Sequence, residues 1–208
     1  MSKLSGLYGI TDPEILPDTH RLLEAVEQAL AGGMRMLQYR AKSISFAQRR
    51  TEARLLRQLC HDNQALFIIN DDLQLALECD ADGVHVGRED ESIGRARELL
   101  GPEAVIGCSC YNRFENALEA QAQGADYVAF GRFFASQTKP QAVQADPDLL
   151  AEAHGKLEIP ICAIGGVTVD NAPILIEQGV DMLAVIRGLF AARDIQATAQ
   201  AMSRLFDR

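Results

Sequence analysis

The chain lacks the basic surplus that a phosphate-coated partner requires. Its 208 residues carry 20 Lys and Arg against 29 Asp and Glu, a formal net charge of −9, which argues against nucleic-acid partners and against docking on an anionic membrane. No apolar run approaches the roughly 18 residues of a membrane span. The opening MSKLSGLYGITD has no signal-peptide core, so a cytoplasmic location is expected. Cysteines are few and odd in number: Cys60, Cys79, Cys108, Cys110 and Cys162 suggest neither a disulfide framework nor a zinc cluster. They are expected to be reduced and mostly buried, with the C-x-C at 108–110 packing within one strand. There is no H-E-x-x-H and no Ser/His/Asp arrangement, which disfavours zinc or serine hydrolysis. What remains is 48% hydrophobic and 24% charged, the make-up of an ordinary globular domain. Small molecules are the expected partners, and nothing in the composition excludes a homodimer.

What the chain does have is alternation. Short apolar, β-branched runs are expected as strands at Leu7–Thr11, Met34–Arg40, Ala65–Asn70, Gly83–Val86, Val105–Ser109, Tyr127–Gly131, Ile161–Ile164 and Met182–Ile186. Between them, helical spacing predicts helices at Thr19–Ala31, Phe46–His61, Asp72–Glu78, Ile93–Leu100, Phe114–Gln123, Pro147–His154, Asp170–Glu177 and Ile195–Phe206. Glycines at Gly32–Gly33, Gly101, Gly124 and Gly179 mark helix ends. A Gly-[Ala/Val]-Asp motif recurs at 124–126 and 179–181, with Ala81–Asp82–Gly83 as a variant, each time just before a strand. Successive strand–helix units with short connections predict an α/β fold, a single (β/α)8 TIM barrel with parallel strands spanning 1–208. An open doubly wound sheet is the alternative, but the first strand–helix turn lacks G-x-G-x-x-G.

In such a barrel, reactive groups belong at the carboxyl ends of the strands. Period-two alternation puts Gln38, Arg40 and Lys42 on one face if the extended chain continues, with Leu37 and Tyr39 facing the helices. Buried cations at a barrel mouth need an anion to meet them; the bland alternative pairs Arg40 with an internal carboxylate and leaves Lys42 solvated. Asp71 and Asp90 follow adjacent strands and suit a hard cation such as Mg²⁺ shared with phosphate oxygens. Asp72 reads as a helix cap, and Asp71 has an equal claim to being one. Ser136, Gln137, Thr138 and Lys139 lie on a loop that could close over a phosphate or be an ordinary polar connection; the stretch 132–145 is the candidate lid. Ile164–Thr168 and Val185–Gly188 are each expected to enter a helix and form the phosphate site usual in this fold, glycines exposing backbone N–H groups. His20, His61 and His154 read as surface residues, and His85 as a hydrogen-bonded interior residue rather than a base.

Taken together, QYRAK (38–42), INDD (69–72), ADGVHVGRED (81–90), GCSC (107–110), FGRFFASQTKP (130–140), AIGGVT (163–168) and AVIRGLF (184–190) resemble the ordered motifs of the thiamine phosphate synthase family. The resemblance runs from Gly6 to about Phe190. It implies a transferase of thiamine biosynthesis that joins hydroxymethylpyrimidine diphosphate to thiazole phosphate with Mg²⁺, releasing pyrophosphate through a dissociative, cation-like step. It further implies that Gln38, Tyr39, Arg40, Ala41 and Lys42 hold the pyrimidine diphosphate, Arg40 and Lys42 neutralising it. Asn70 and Ser109 would complete that pocket, Asp71 and Asp90 would ligate the metal, and Lys139 would reach the leaving group. Ser136 to Thr138, Gly166, Ile186 and Arg187 would bind the thiazole phosphate. The chain departs from the commoner pattern at Asp72, where arginine is usual, at Cys110 for histidine, at Arg187 for serine and at Ser136 for threonine. A thiazole tautomerase of the same superfamily and a non-catalytic phosphate-binding barrel remain as alternatives.

Overall fold

The computed structural model describes residues 4–42, 44–87, 92–135 and 143–207. Eight strands form a closed barrel in sequence order: β1 (Gly6–Ile10), β2 (Met36–Tyr39), β3 (Leu66–Asn70), β4 (Gly83–Val86), β5 (Val105–Tyr111), β6 (Tyr127–Phe130), β7 (Ile161–Ile164) and β8 (Met182–Val185). Every pairing is parallel, and β1 closes the ring by pairing with β8 as well as β2. The connecting helices are α1 (Thr19–Ala31), α2 (Phe46–Asp62), α3 (Leu73–Cys79), α4 (Ile93–Leu100), α5 (Phe114–Ala122), α6 (Asp148–His154) and α7 (Ala172–Glu177), followed by α8 (Arg187–Phe190) and α9 (Ile195–Arg204). Among the described residues, no helix is long and apolar enough to cross a membrane.

Alternation along the strands makes two apolar layers. One side-chain parity points inward, and Tyr8, Ile10, Met36, Ile68, Tyr127, Cys162 and Met182 pack against one another inside the barrel. The other parity, with Leu37, Phe67, Val84, Ile106, Val128 and Leu183, joins the apolar faces of the helices in a larger outer core. Interior space is tight enough to dictate residue choice. A Cβ on Gly107 would lie 2.0 Å from Tyr127 Cζ, so the glycine is what admits the tyrosine ring. All the cysteines are free and buried, Cys108 and Cys110 both within β5. His20, His61 and His154 are exposed, whereas His85 is buried.

Side-chain caps start the helices where the chain supplies a short oxygen acceptor: Asp18, Ser45, Asp72, Ser92 and Asp194 each accept from a backbone N–H three residues on. The last expected helix is preceded by a separate turn, α8, immediately after β8, before Asp194 caps α9. The seventh helix starts at Ala172 rather than Asp170, because Thr168 N–H is taken by the Asn171 side chain in a turn.

The recurrent aspartate motif resolves into a clasp between strands at the amino end of the barrel. Asp82 accepts from Phe67 N at 2.7 Å, Asp126 from Ile106 N at 2.7 Å and Asp181 from Ile161 N at 2.8 Å. In each case the same aspartate's own N–H donates to the carbonyl of the residue it clasps. A carboxylate thus pairs two neighbouring strands just before β4, β6 and β8. Arg97 extends one clasp by bonding Asp126 at 2.7 Å and the Gly124 carbonyl at 3.1 Å.

Two outcomes are expected. Asp181→Ala leaves the Ile161 N–H without its charged acceptor and lowers stability by about 1.5–3 kcal/mol, read as a lower urea midpoint with no change in substrate KM. Alkaline pH also destabilises the fold. Burial pushes Cys79 from 9.0 to about 11 and Cys60 from 9.0 to about 12, and it raises the Tyr8 and Tyr127 hydroxyls above 10.0. These groups hold their protons longer folded than unfolded, so their stabilisation is complete below pH 9 to 10 and is lost as pH rises through the folded values. Each contributes a fall of up to about 1.4 kcal/mol per pH unit within its window. Urea midpoints measured from neutral pH to pH 11 check the slope.

Candidate active site

At the carboxyl ends of the strands the barrel opens into a cavity of about 440 Å³. Its lining among the described residues includes Arg40, Arg132 and Arg187 and no carboxylate, although the chain as a whole carries nine more acidic than basic groups. The cavity has two differently built sides. Arg40 and Asn70 line it at the ends of β2 and β3, and Gly165, Gly166, Ile186 and Arg187 line it after β7 and β8. Gln38, Tyr8, His85 and Ser109 contribute to the wall between them.

Arg40 is set by its backbone. Its N–H donates to Thr11 Oγ1 at 2.8 Å, and the same hydroxyl donates to the Arg40 carbonyl at 3.1 Å, so buried Thr11 braces the end of β2 from the end of β1. No described carboxylate pairs with Arg40, so the expectation of an internal partner for it is not met. The expected alternation holds through Tyr39 and then fails. β2 ends at Tyr39, and Lys42 stands in a turn with 63% of its side chain exposed, 2.9 Å from Asp71 Oδ2. Lys42 is therefore brought to Asp71 rather than into the cavity lining. Tyr39 faces the helices, its hydroxyl donating to Glu52 at 2.6 Å. Neither it nor Ala41 lines the main cavity; both border a separate, smaller pocket.

Asp71 is not the helix cap. Asp72 caps α3 by accepting from Leu75 N and also pairs with Arg49 of α2 at 3.0 Å, which explains how an acidic residue fits that position. Asp71 takes a left-handed conformation, φ 64°, that turns its carboxylate away from the helix towards Lys42 and Asn70, whose Nδ2 donates to it at 2.6 Å. Among the described residues there is no group of three His, Cys, Asp or Glu able to hold a metal. Asp90 lies outside the described residues, as do Ser136, Gln137, Thr138 and Lys139. The feet of that loop are tied together: Ala145 N donates to the Arg132 carbonyl at 2.8 Å.

On the other side, Gly165 and Gly166 have φ 103° and 65°, and a Cβ on Gly166 would lie 2.3 Å from the Ala135 carbonyl oxygen. Only glycine fits this close approach. The pair sits in a loop, because α7 begins well beyond it at Ala172; the expectation that it opens a helix is corrected. Arg187 does open a helix, the single turn α8. Sequence reasoning missed Tyr8, Tyr127, Tyr111 and Arg132. The inward parity of Tyr8 and Tyr127 was a usable signal, while Tyr111 and Arg132 enter the lining from strand ends whose geometry no pattern announced.

The chain is similar to known proteins over its whole barrel. The family model described as thiamine monophosphate synthase matches residues 7–189. A thiamine-phosphate synthase of Thioalkalivibrio sulfidiphilus is 49% identical, covering 99% of this chain and 97% of its own. One from Nitrosococcus oceani is 50% identical, covering 99% and 94%. The solved thiamine phosphate pyrophosphorylase of Pyrococcus furiosus superimposes with a TM-score of 0.87 at 35% identity, over 99% of this chain and 96% of that one. With the family model matching most of the barrel and relatives similar from end to end, the chain belongs to the thiamine monophosphate synthase family.

Proposed function

We propose that the chain joins hydroxymethylpyrimidine diphosphate to thiazole phosphate, forming thiamine phosphate and releasing pyrophosphate. The observation that carries this reading is the lining of the cavity, three arginines and no described carboxylate in a protein of net charge −9. A pocket so charged favours polyanions, and its two unlike sides suit two of them. Arg40 and Asn70, with Lys42 and Lys139, would take the diphosphate. Gly166, the backbone at Ile186 and Arg187, and residues 136–138 would take the thiazole phosphate.

In the reaction the bond between the pyrimidinylmethyl carbon and the diphosphate oxygen breaks, the electron pair leaving with pyrophosphate. The thiazole nitrogen then attacks the electron-poor carbon. The protein's part is to stabilise departing negative charge with fixed cations and to hold the thiazole in line. Mg²⁺ fits the donor set, since Asp71 offers a hard carboxylate oxygen at the rim and Asp90 would add another. With only these ligands the ion would need phosphate oxygens to complete its shell, as Mg²⁺ commonly does. It would supply charge neutralisation to the diphosphate. The tautomerase reading is weaker. The polar side chains that line the cavity after β6, β7 and β8 are Arg132, Thr168 and Arg187, guanidinium groups and a hydroxyl suited to holding an anion, with no described carboxylate or imidazole among them to act as a general base.

The test is pyrophosphate release with both substrates and Mg²⁺, and no release from either order of addition refutes the proposal. EDTA is expected to stop turnover and added Mg²⁺ to restore it. Asp71→Asn should fold normally, lose most activity and regain part of it at raised Mg²⁺, because mass action opposes weakened ligation; undiminished turnover in EDTA removes the metal role. Gly166→Val should raise KM for thiazole phosphate alone, and a rise confined to the diphosphate would mean the two sides are assigned in reverse.

A further inference from the structure

The floor of the cavity carries a polar array that charge neutralisation does not use. Five side chains from five strands are joined end to end. Gln38 Nε2 donates to Tyr8 Oη at 2.6 Å, and Tyr8 Oη meets Tyr127 Oη at 2.9 Å. Tyr127 Oη meets His85 Nδ1 at 2.9 Å, and His85 Nε2 meets Ser109 Oγ at 2.8 Å. Tyr8, Gln38, Tyr127 and His85 are buried, and both ends of the chain, Gln38 and Ser109, line the cavity.

One ordering of the hydrogens gives every hydroxyl in this chain both a donor and an acceptor role. In it Tyr8 Oη accepts from Gln38 and gives its own hydrogen to Tyr127, whose hydrogen goes to His85 Nδ1. A neutral imidazole that accepts at Nδ1 carries its hydrogen on Nε2, which donates to Ser109 Oγ. The serine hydrogen is then left for the cavity, and Gln38 keeps its carbonyl oxygen as an acceptor. The opposite order would make Tyr8 Oη accept from both Gln38 and Tyr127 and leave its own hydrogen without a place in the chain. Burial raises both tyrosine hydroxyls above their ordinary range, so they stay protonated as links.

We propose that His85, Tyr127 and Tyr8 are positioning residues that fix the donor–acceptor order of the cavity floor, an acceptor at Gln38 and a donor at Ser109. That order selects a pyrimidine whose exocyclic amine donates and whose ring nitrogen accepts. The identity of the selected ring rests on the function proposed above, whereas the direction of the chain does not. A ring with the opposite order would set donor against donor in a buried site, a mismatch that polar pockets reject strongly.

Two measurements test this. In the free protein at neutral pH, ¹⁵N–¹H spectra of the imidazoles, assigned by the loss of one set in His85→Asn, should show His85 neutral with its hydrogen on Nε2. A hydrogen on Nδ1, or an imidazolium, overturns the proposal. Calorimetry then compares hydroxymethylpyrimidine monophosphate with its 4-oxo analogue. Tyr127→Phe keeps the ring and removes one link; it should reduce the preference for the amino compound by about tenfold, the worth of one hydrogen bond, and shift the His85 spectrum towards mixed tautomers. Equal weakening of both ligands, with the preference intact, is what a merely structural tyrosine gives and overturns the proposal. Tyr8→Phe serves the same comparison if Tyr127→Phe does not fold. Failure of pyrophosphate release in the wild type would refute the reaction, and the His85 tautomer would still decide the chain's direction.

Discussion

A closed barrel of parallel strands has no hairpin turns to fix its registers, and here aspartates pin three of the strand pairs, β3–β4, β5–β6 and β7–β8. Asp82, Asp126 and Asp181 each grip a backbone N–H of the preceding strand while their own N–H groups donate back to it. The clasps lie at the amino end, so the opposite end is free to carry loops of unrelated composition without loss of register. A one-residue slip would exchange the inner and outer faces of a strand. It would carry Gln38, Asn70, His85 and Ser109 out of the barrel. The positions of Asn70, His85 and Ser109, on the clasped strands β3, β4 and β5, therefore depend on that end.

The acidity of the chain and the cation lining of its cavity are reconciled by where the carboxylates are spent. Asp71 is turned to the rim by its left-handed backbone and met by Lys42. Asp72 is used twice, capping α3 and pairing with Arg49. Glu52 is buried behind β2 and bonded by Tyr39, Thr19 and Gln48. With these carboxylates held elsewhere, none of them is among the described residues lining the cavity, where Arg40, Arg132 and Arg187 stand.

Much of this was legible in the chain. The strand–helix units, the inward parity of Gln38 and Arg40, the capping role of Asp72 and the interior place of His85 all follow from local spacing and residue chemistry. What was not legible arises where local rules end. Alternation stops carrying Lys42 inward once β2 ends at Tyr39. The glycines at 165 and 166 looked like a helix start, but the Asn171 side chain builds a turn that delays α7. Tyr8 and Tyr127 lie 119 residues apart, and only barrel closure brings their hydroxyls together. The recurrence of Gly-[Ala/Val]-Asp was visible as a repeat, but its purpose appeared only when each carboxylate met the strand before it.

The central claim is that the cavity has two anion sites on opposite sides of one mouth, separated by a polar floor. A crystal structure with thiamine phosphate, pyrophosphate and Mg²⁺ tests it most directly. The account predicts pyrophosphate beside Arg40 and Asn70, the product phosphate against Gly166 and Arg187, and the pyrimidine over Gln38 and Ser109. Both anions on one side, or the two exchanged, would contradict it.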